Sequence, residues 1–226
     1  SPFRLSPHWM TTDNSRSPRT FAVALTGASG AHYGLRLIDC LVGAGHRVYV
    51  LISEAGQIVL KMEAGLRVPS RPAEAQAFLT AHFAAAPGQI RVFGRQQWTA
   101  PVASGTNPPD GMAICPCTTG TLANIASGLS TCLIDRAADV VLKEGRKLIL
   151  VVRETPFSAI QLENMLRLAR AGAVIMPANP GFYFNPTRID EIVDFMVARV
   201  LDHLGVHHQI TRRWGEGSEP ADQGAS

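Results

Sequence analysis

The chain has 226 residues, of which 46% are hydrophobic and 17% charged, with a formal net charge of +3. That length and composition suit one globular α/β domain with a sizeable core and exclude a disordered chain. The mild positive charge, with no dense Lys/Arg stripe interleaved with aromatics, excludes a nucleic-acid-binding protein and leaves room for a local anionic ligand.

Residues 1–19 are polar and rich in Pro and Ser, and read as a flexible amino-terminal segment. Phe21–Leu25 is an apolar run short enough only for a buried strand, and it opens into Thr26-Gly27-Ala28-Ser29-Gly30, a tight glycine turn before a helix. Unpartnered N–H groups at that helix start, with the hydroxyls of Thr26 and Ser29, predict an anion site. The GASGAHYG spacing departs from G-x-G-x-x-G, and Ser53 rather than an acidic residue follows the second strand. Both points argue against NAD and towards a mononucleotide such as FMN.

Leu35, Leu37, Ile38, Leu41 and Val42 carry the helical stripe to Gly43, and Arg47–Ile52 is the second strand, which completes a βαβ unit. Ser53 reads either as the cap of the next helix or as a phosphate contact. Glu63, near the end of that helix, reads by itself as a solvated carboxylate. Residues 73–83 read as a helix and 90–93 as a short strand; the Pro/Gly/Ser loop of 98–110 that follows carries Trp98, an aromatic wall or a loop anchor, and Ser104-Gly105.

Residues 111–115 form the next strand, followed by a second hydroxyl-rich turn, Thr118-Thr119-Gly120-Thr121. Two such turns on neighbouring strands of an open parallel sheet would face one crevice. Cys115 and Cys117 are expected on the same side of that strand end as small apolar fillers. With Cys40 and Cys132 they lack disulfide-scaffold density and C-x-x-C spacing, which reads as reduced thiols of a cytoplasmic protein. No apolar run approaches the roughly 18–20 residues of a membrane span, and no signal-peptide core is present.

The helix of 133–144 puts Arg136 and Lys143 about two turns apart on nearly one face, as a basic edge or an anion grip. The strand 148–152 ends in Arg153-Glu154-Thr155-Pro156, where Arg can fork an oxyanion and Glu can shuttle a proton. After a helix over 160–169 and a strand over 173–176, the loop from Pro177 through Phe182-Tyr183-Phe184 reads as a lid or a packed corner. The last helix spans 188–204, with Arg199 beside its apolar stripe. Residues 207–226 form a polar tail in which Trp214 is expected to dock, on another subunit or elsewhere.

Six segments in register, TGASGAHYGLRL, CPCTTGTLA, DRAADVVLKEGRKL, VVRETPFS, NMLRLARAGAVIMPANPGFY and VDFMVARVLDHLGV, resemble the bacterial flavin prenyltransferases, the UbiX family, over essentially residues 20–214. The resemblance implies a single flavodoxin-like or Rossmann-like three-layer α/β domain with a mostly parallel sheet, spanning 20–206, and assembly into dodecamers. It implies metal-independent transfer of a dimethylallyl group from dimethylallyl phosphate to reduced FMN, giving prenylated FMN for a partner UbiD-type decarboxylase. By the same resemblance Gly27, Ala28, Ser29, Ser53 and Thr118, Thr119, Gly120 and Thr121 would hold FMN, with Arg153 beside it and Trp98 as a wall. Ser104, Arg136, Lys143, Arg153, Tyr183, Arg199 and Trp214 would grip the donor, some across a subunit boundary. Glu154 would do acid/base work at the phosphate, with Glu63 a second carboxylate near the prenyl group and Ser29 beside them.

Glu54 and Gly145 depart from the lysine and the basic residue common at those positions. Competing readings are a flavin-dependent cysteine decarboxylase, whose relatives use a histidine base and a P-x-M-N clamp loop where this chain has Met176-Pro-Ala-Asn-Pro180 and no evident match at His32, and a non-enzymatic FMN carrier.

Overall fold

The computed structural model describes residues 17–211. Trp214 and most of the amino-terminal segment therefore lie outside the described residues. Six strands alternate with helices in one sheet of order β3-β2-β1-β4-β5-β6, every neighbouring pair parallel. They are β1 (Thr20–Leu25), β2 (Arg47–Ile52), β3 (Ile90–Val92), β4 (Gly111–Cys117), β5 (Lys147–Val152) and β6 (Val174–Ile175). The helices are α1 (Ala31–Gly43), α2 (Glu54–Ala64), α3 (Pro72–His82), α4 (Thr119–Ala126), α5 (Leu133–Lys143), α6 (Ala159–Arg170) and α7 (Ile189–Leu204).

A parallel sheet must be covered on both faces, so its central strands are apolar throughout. Phe21, Val23 and Leu25 of β1, with Ala113 of β4 and Ile149 and Val151 of β5, pack under α1 and α7, joined by Leu60 of α2 and Leu79 of α3. Ala22 and Ala24, with Met112, Ile114, Leu148 and Leu150, face α4, α5 and α6. These are the three layers expected. The chain builds outward from β1 in one direction through β3 and in the other from β4 to β6, so the order reverses between β1 and β4.

Element boundaries agree with the sequence reading to within a residue or two, and β4 ends two residues later than expected. That strand runs on through Pro116 to Cys117, and its pairing with β5 shifts register between Ile114 and Cys117. The shift corrects the expected side of the thiols: Cys115 packs on the α1 face and Cys117 on the α4 face. Strict alternation would put residues two apart on one side, and the irregularity breaks it. Burial pushes the Cys117 thiol up to about 12. It is an inert filler.

One buried charge cluster was not foreseen. Arg36 of α1, 5% exposed, donates from Nε to Asp194 of α7 at 2.7 Å and from Nη1 to Asp39 at 2.8 Å. This cluster bolts α7 onto α1. Burial lifts the Asp194 carboxyl, against the lowering pull of Arg36. Arg36→Ala strands that carboxylate and should cost roughly 3–5 kcal/mol at pH 7 in urea unfolding. An acid whose pKa is raised on folding is easiest to accommodate once protonated, so the deficit should be smaller at pH 5 than at pH 7.

Candidate functional site

The carboxyl ends of β1, β2 and β4 each turn directly into a helix, and those turns lie side by side where the strand order reverses. Thr26, 2% exposed, donates its hydroxyl to the Pro116 carbonyl at 2.7 Å and accepts from the Thr118 N–H at 2.9 Å. It thereby pins the β1 turn to the β4 turn. Its donor is spent within the fold, which corrects the expectation that it serves a ligand.

The β2 turn closes onto the same place. Ser53 donates its N–H to the Leu25 carbonyl at 3.0 Å, and its Oγ caps α2 by accepting from Gly56 N at 2.9 Å. A side chain at Gly56 would stand 2.5 Å from the Leu25 carbonyl, and one at Gly27 would collide with Ala55. Glycine at both positions lets the start of α2 lie against the β1 turn. Thr118 caps α4 in the same way, accepting from Thr121 N at 3.1 Å and donating to Thr121 Oγ1 at 2.9 Å. Two capped helix starts thus flank the β1 turn, each with amide donors left over.

The start of α1 behaves differently. Gly30, at φ 114°, and Ala31 both donate N–H to Oε2 of Glu63, each at 2.9 Å. The amides that the sequence reading offered to a phosphate are therefore occupied, and Glu63, though exposed, is also the cap of α1. Burial raises its carboxyl, but the Ser29 hydroxyl and the two amides outweigh it and hold it below the usual carboxylate range.

Arg153 and Glu154 follow β5 at the same edge. Arg153 donates its N–H to the Cys117 carbonyl at 3.3 Å, and its Nε is buried with no hydrogen-bond partner. An orphaned guanidinium N–H on the residue that follows β5, whose backbone joins the β4 turn, is a polar group the fold leaves unsatisfied here. Glu154 is half-buried and accepts from Thr155 N at 3.0 Å.

The remaining candidates are not gathered with these. Arg136 lies on α5, where Nε donates to Ala103 O at 3.2 Å and Nη1 pairs with Asp139 at 2.8 Å. Lys143, one residue from its partner Glu144, ends the same helix beside Gly105. Ser104 is exposed and bonds Thr106, and Trp98 is 46% exposed. Tyr183 and Arg199 line a separate cavity of about 650 Å³ with Phe195, Asp202 and His208 on the α7 side of the sheet. A helix after a parallel strand descends across one face, so Lys143, the last residue of α5, lies toward the amino edge of the sheet, and Arg199 lies in the second half of α7 on the other face. One chain thus divides the expected cations between opposite faces and the carboxyl edge.

The chain matches the model of the Flavoprotein family over residues 10–201. It is 53% identical over 206 residues to the flavin prenyltransferase UbiX of Pseudomonas aeruginosa, covering 91% of this chain and 99% of that protein. It belongs to the flavin prenyltransferase family. Among solved structures, AnUbiX (PadA1) in complex with FMN and dimethylallyl pyrophosphate superposes with a TM-score of 0.79 at 37% identity, covering 89% of this chain and 100% of the other. A dodecameric FMN-dependent UbiX-like decarboxylase from Escherichia coli O157:H7 gives 0.76 at 38% identity, covering 86% and 98%.

Within this family member, sequence reasoning passed over the carboxylates that hold the helical arginines. Arg36–Asp39, Arg136–Asp139 and Arg199–Asp202 are all i, i+3 pairs, a spacing that could have shown them. Glu63→Ala should destabilise the fold by about 1 kcal/mol at pH 7 by uncapping α1. A carboxyl lowered on folding contributes fully above its unfolded value, near 4.3, and less as pH falls below it. The gap between wild type and variant in urea unfolding should therefore shrink between pH 6 and pH 3.

Proposed function

We propose that this protein transfers a dimethylallyl group from dimethylallyl phosphate to reduced FMN, in a site completed by further copies of the same chain, within a dodecamer like that of its Escherichia coli relative. The observation that carries this reading is the pairing of two capped helix starts with the orphaned Arg153 Nε at the sheet edge of a flavin prenyltransferase family member. Those groups fit FMN. The turn of Gly27, Ala28 and Ser29, with Ser53, Thr118, Thr119, Gly120 and Thr121, would hold it, and Arg153 would lie beside it. Reduced FMN, when bound, supplies the electron-rich ring that accepts the prenyl carbon.

The chain's own groups account for the rest of the chemistry. Loss of phosphate from the donor leaves negative charge on oxygen, and Arg136, Lys143, Arg153 and Arg199, with the hydroxyls of Ser104 and Tyr183, stabilise it. Preorganised donors of this kind typically contribute a few kcal/mol each. Glu154 gives a proton to the departing phosphate oxygen. Glu63 holds Ser29 and the glycine turn in place, and would be the second carboxylate available to take up a proton when the flavin is bound. Trp98 walls the slot, where an electron-rich face shields a developing allyl cation from water.

Neither face of one copy can bring Arg136 and Arg199 to the same crevice, so these cations come from neighbouring copies. The prenylated product has the chemistry of a cofactor for a UbiD-type decarboxylase. A second reading, direct decarboxylation of an acid substrate, follows from the name of the Escherichia coli structure; it predicts carbon dioxide release and an unaltered flavin.

Anaerobic incubation with reduced FMN and dimethylallyl phosphate, followed by mass spectrometry of the released flavin, should show the gain of one five-carbon prenyl unit. Glu154→Gln should still bind FMN and slow that gain at least about 10²-fold. An unaltered flavin mass with the wild-type protein would overturn the reading.

A further inference from the structure

Arg199 is exposed on α7, yet it does not hang free: Asp202, one turn on, takes its Nη1 at 3.1 Å through Oδ2. The other oxygen of the same carboxylate, Oδ1, lies 3.1 Å from Nε2 of His208. With its two oxygens engaged on different sides, the carboxylate cannot rotate without giving up one contact. The histidine side chain is 6% exposed, and its Nδ1 is buried with no hydrogen-bond partner. The hydrogen bond at Nε2 and the surrounding packing therefore fix the ring, and it contributes a fixed contact rather than a mobile one.

The chain reversal that brings His208 back is itself locked. Gly205, at φ 65°, donates to the Asp202 carbonyl at 3.0 Å, and Val206, 4% exposed, donates to the Leu201 carbonyl at 2.9 Å. These are the paired bonds of a glycine helix stop, with the apolar residue after it packed down. Arg19 adds a clamp from the start of β1, with Nη1 on Leu204 O at 3.2 Å and Nη2 on Gly205 O at 2.6 Å.

We propose that Asp202 is a positioning residue, held by His208, that sets the direction of the Arg199 guanidinium at the mouth of the cavity shared with Tyr183. The proposal rests on the reading that Arg199 grips the donor phosphate. A long exposed side chain loses rotamer freedom when it binds an anion, and a carboxylate that has already ordered it removes part of that cost. The effect belongs to donor binding rather than to the chemical step.

The test uses the full chain in its assembled state, with reduced FMN saturating and dimethylallyl phosphate varied. Asp202→Asn should raise KM for the donor about 3- to 5-fold, the range of a partly exposed pair, with kcat changed less than about 2-fold. His208→Phe, which keeps the packing and removes the hydrogen bond, should move KM the same way by a smaller factor. In an Arg199→Ala background Asp202→Asn should have no further effect, a coupling that a merely structural role would not produce. FMN affinity monitors the fold of each variant. If Arg199→Ala raises KM and neither other variant does, the positioning role is wrong and the donor site stands. If Asp202→Asn lowers KM, the carboxylate competes with phosphate and the proposal is also wrong. If Arg199→Ala itself leaves KM unchanged, the assignment of Arg199 to the donor fails, and the proposal with it.

Discussion

A helix that follows a parallel strand has to travel back across one face of the sheet before the next strand can begin. The turn at its start therefore stays at the carboxyl edge, while side chains on its later turns are carried towards the opposite edge. In this protein the first effect collects Ser53 and Thr118 beside the β1 turn, with Arg153 joined to the β4 turn next to it. The second sends Lys143 down one face and Arg199 down the other. The capped helix starts are thus gathered at one edge within the chain, and Lys143 and Arg199 are carried away from it.

The carboxyl edge holds together through few contacts. The Thr26 hydroxyl, used both as donor and acceptor, ties the β1 and β4 turns. Glu63 reaches from the end of α2 to close the start of α1. With that helix start already satisfied, the free amides that remain for a ligand belong to α2 and α4. Glu63 thus joins local folding to the site: the carboxylate that the family resemblance places near the prenyl group is also the one that shapes the glycine turn.

Most of the architecture was legible in the sequence because its signals are local. Apolar runs such as Phe21–Leu25 and Leu148–Val152 leave little choice but a buried strand, and glycine or hydroxyl turns mark where helices start. What escaped depends on contacts distant along the chain. Glu63 and Gly30 stand 33 residues apart, and Arg36 and Asp194 stand 158 apart; no periodicity reports either pair. The sides of Cys115 and Cys117 were misread because a register shift overrides the alternation rule. Motif order carried the family, but no motif records which face of the sheet a helix will cover, and so the separation of Arg136 from Arg199 emerges only from the fold.

That separation makes the account most directly testable by mixing subunits. Chains carrying Arg136→Ala and chains carrying Arg199→Ala should each transfer the prenyl group poorly as pure assemblies. Unfolded together and co-refolded into mixed assemblies, they should regain a clear share of wild-type activity, because some crevices then receive an intact Arg136 from one copy and an intact Arg199 from another. Mixed assemblies no more active than their two parents would contradict the claim that different copies of the chain supply these cations to one site.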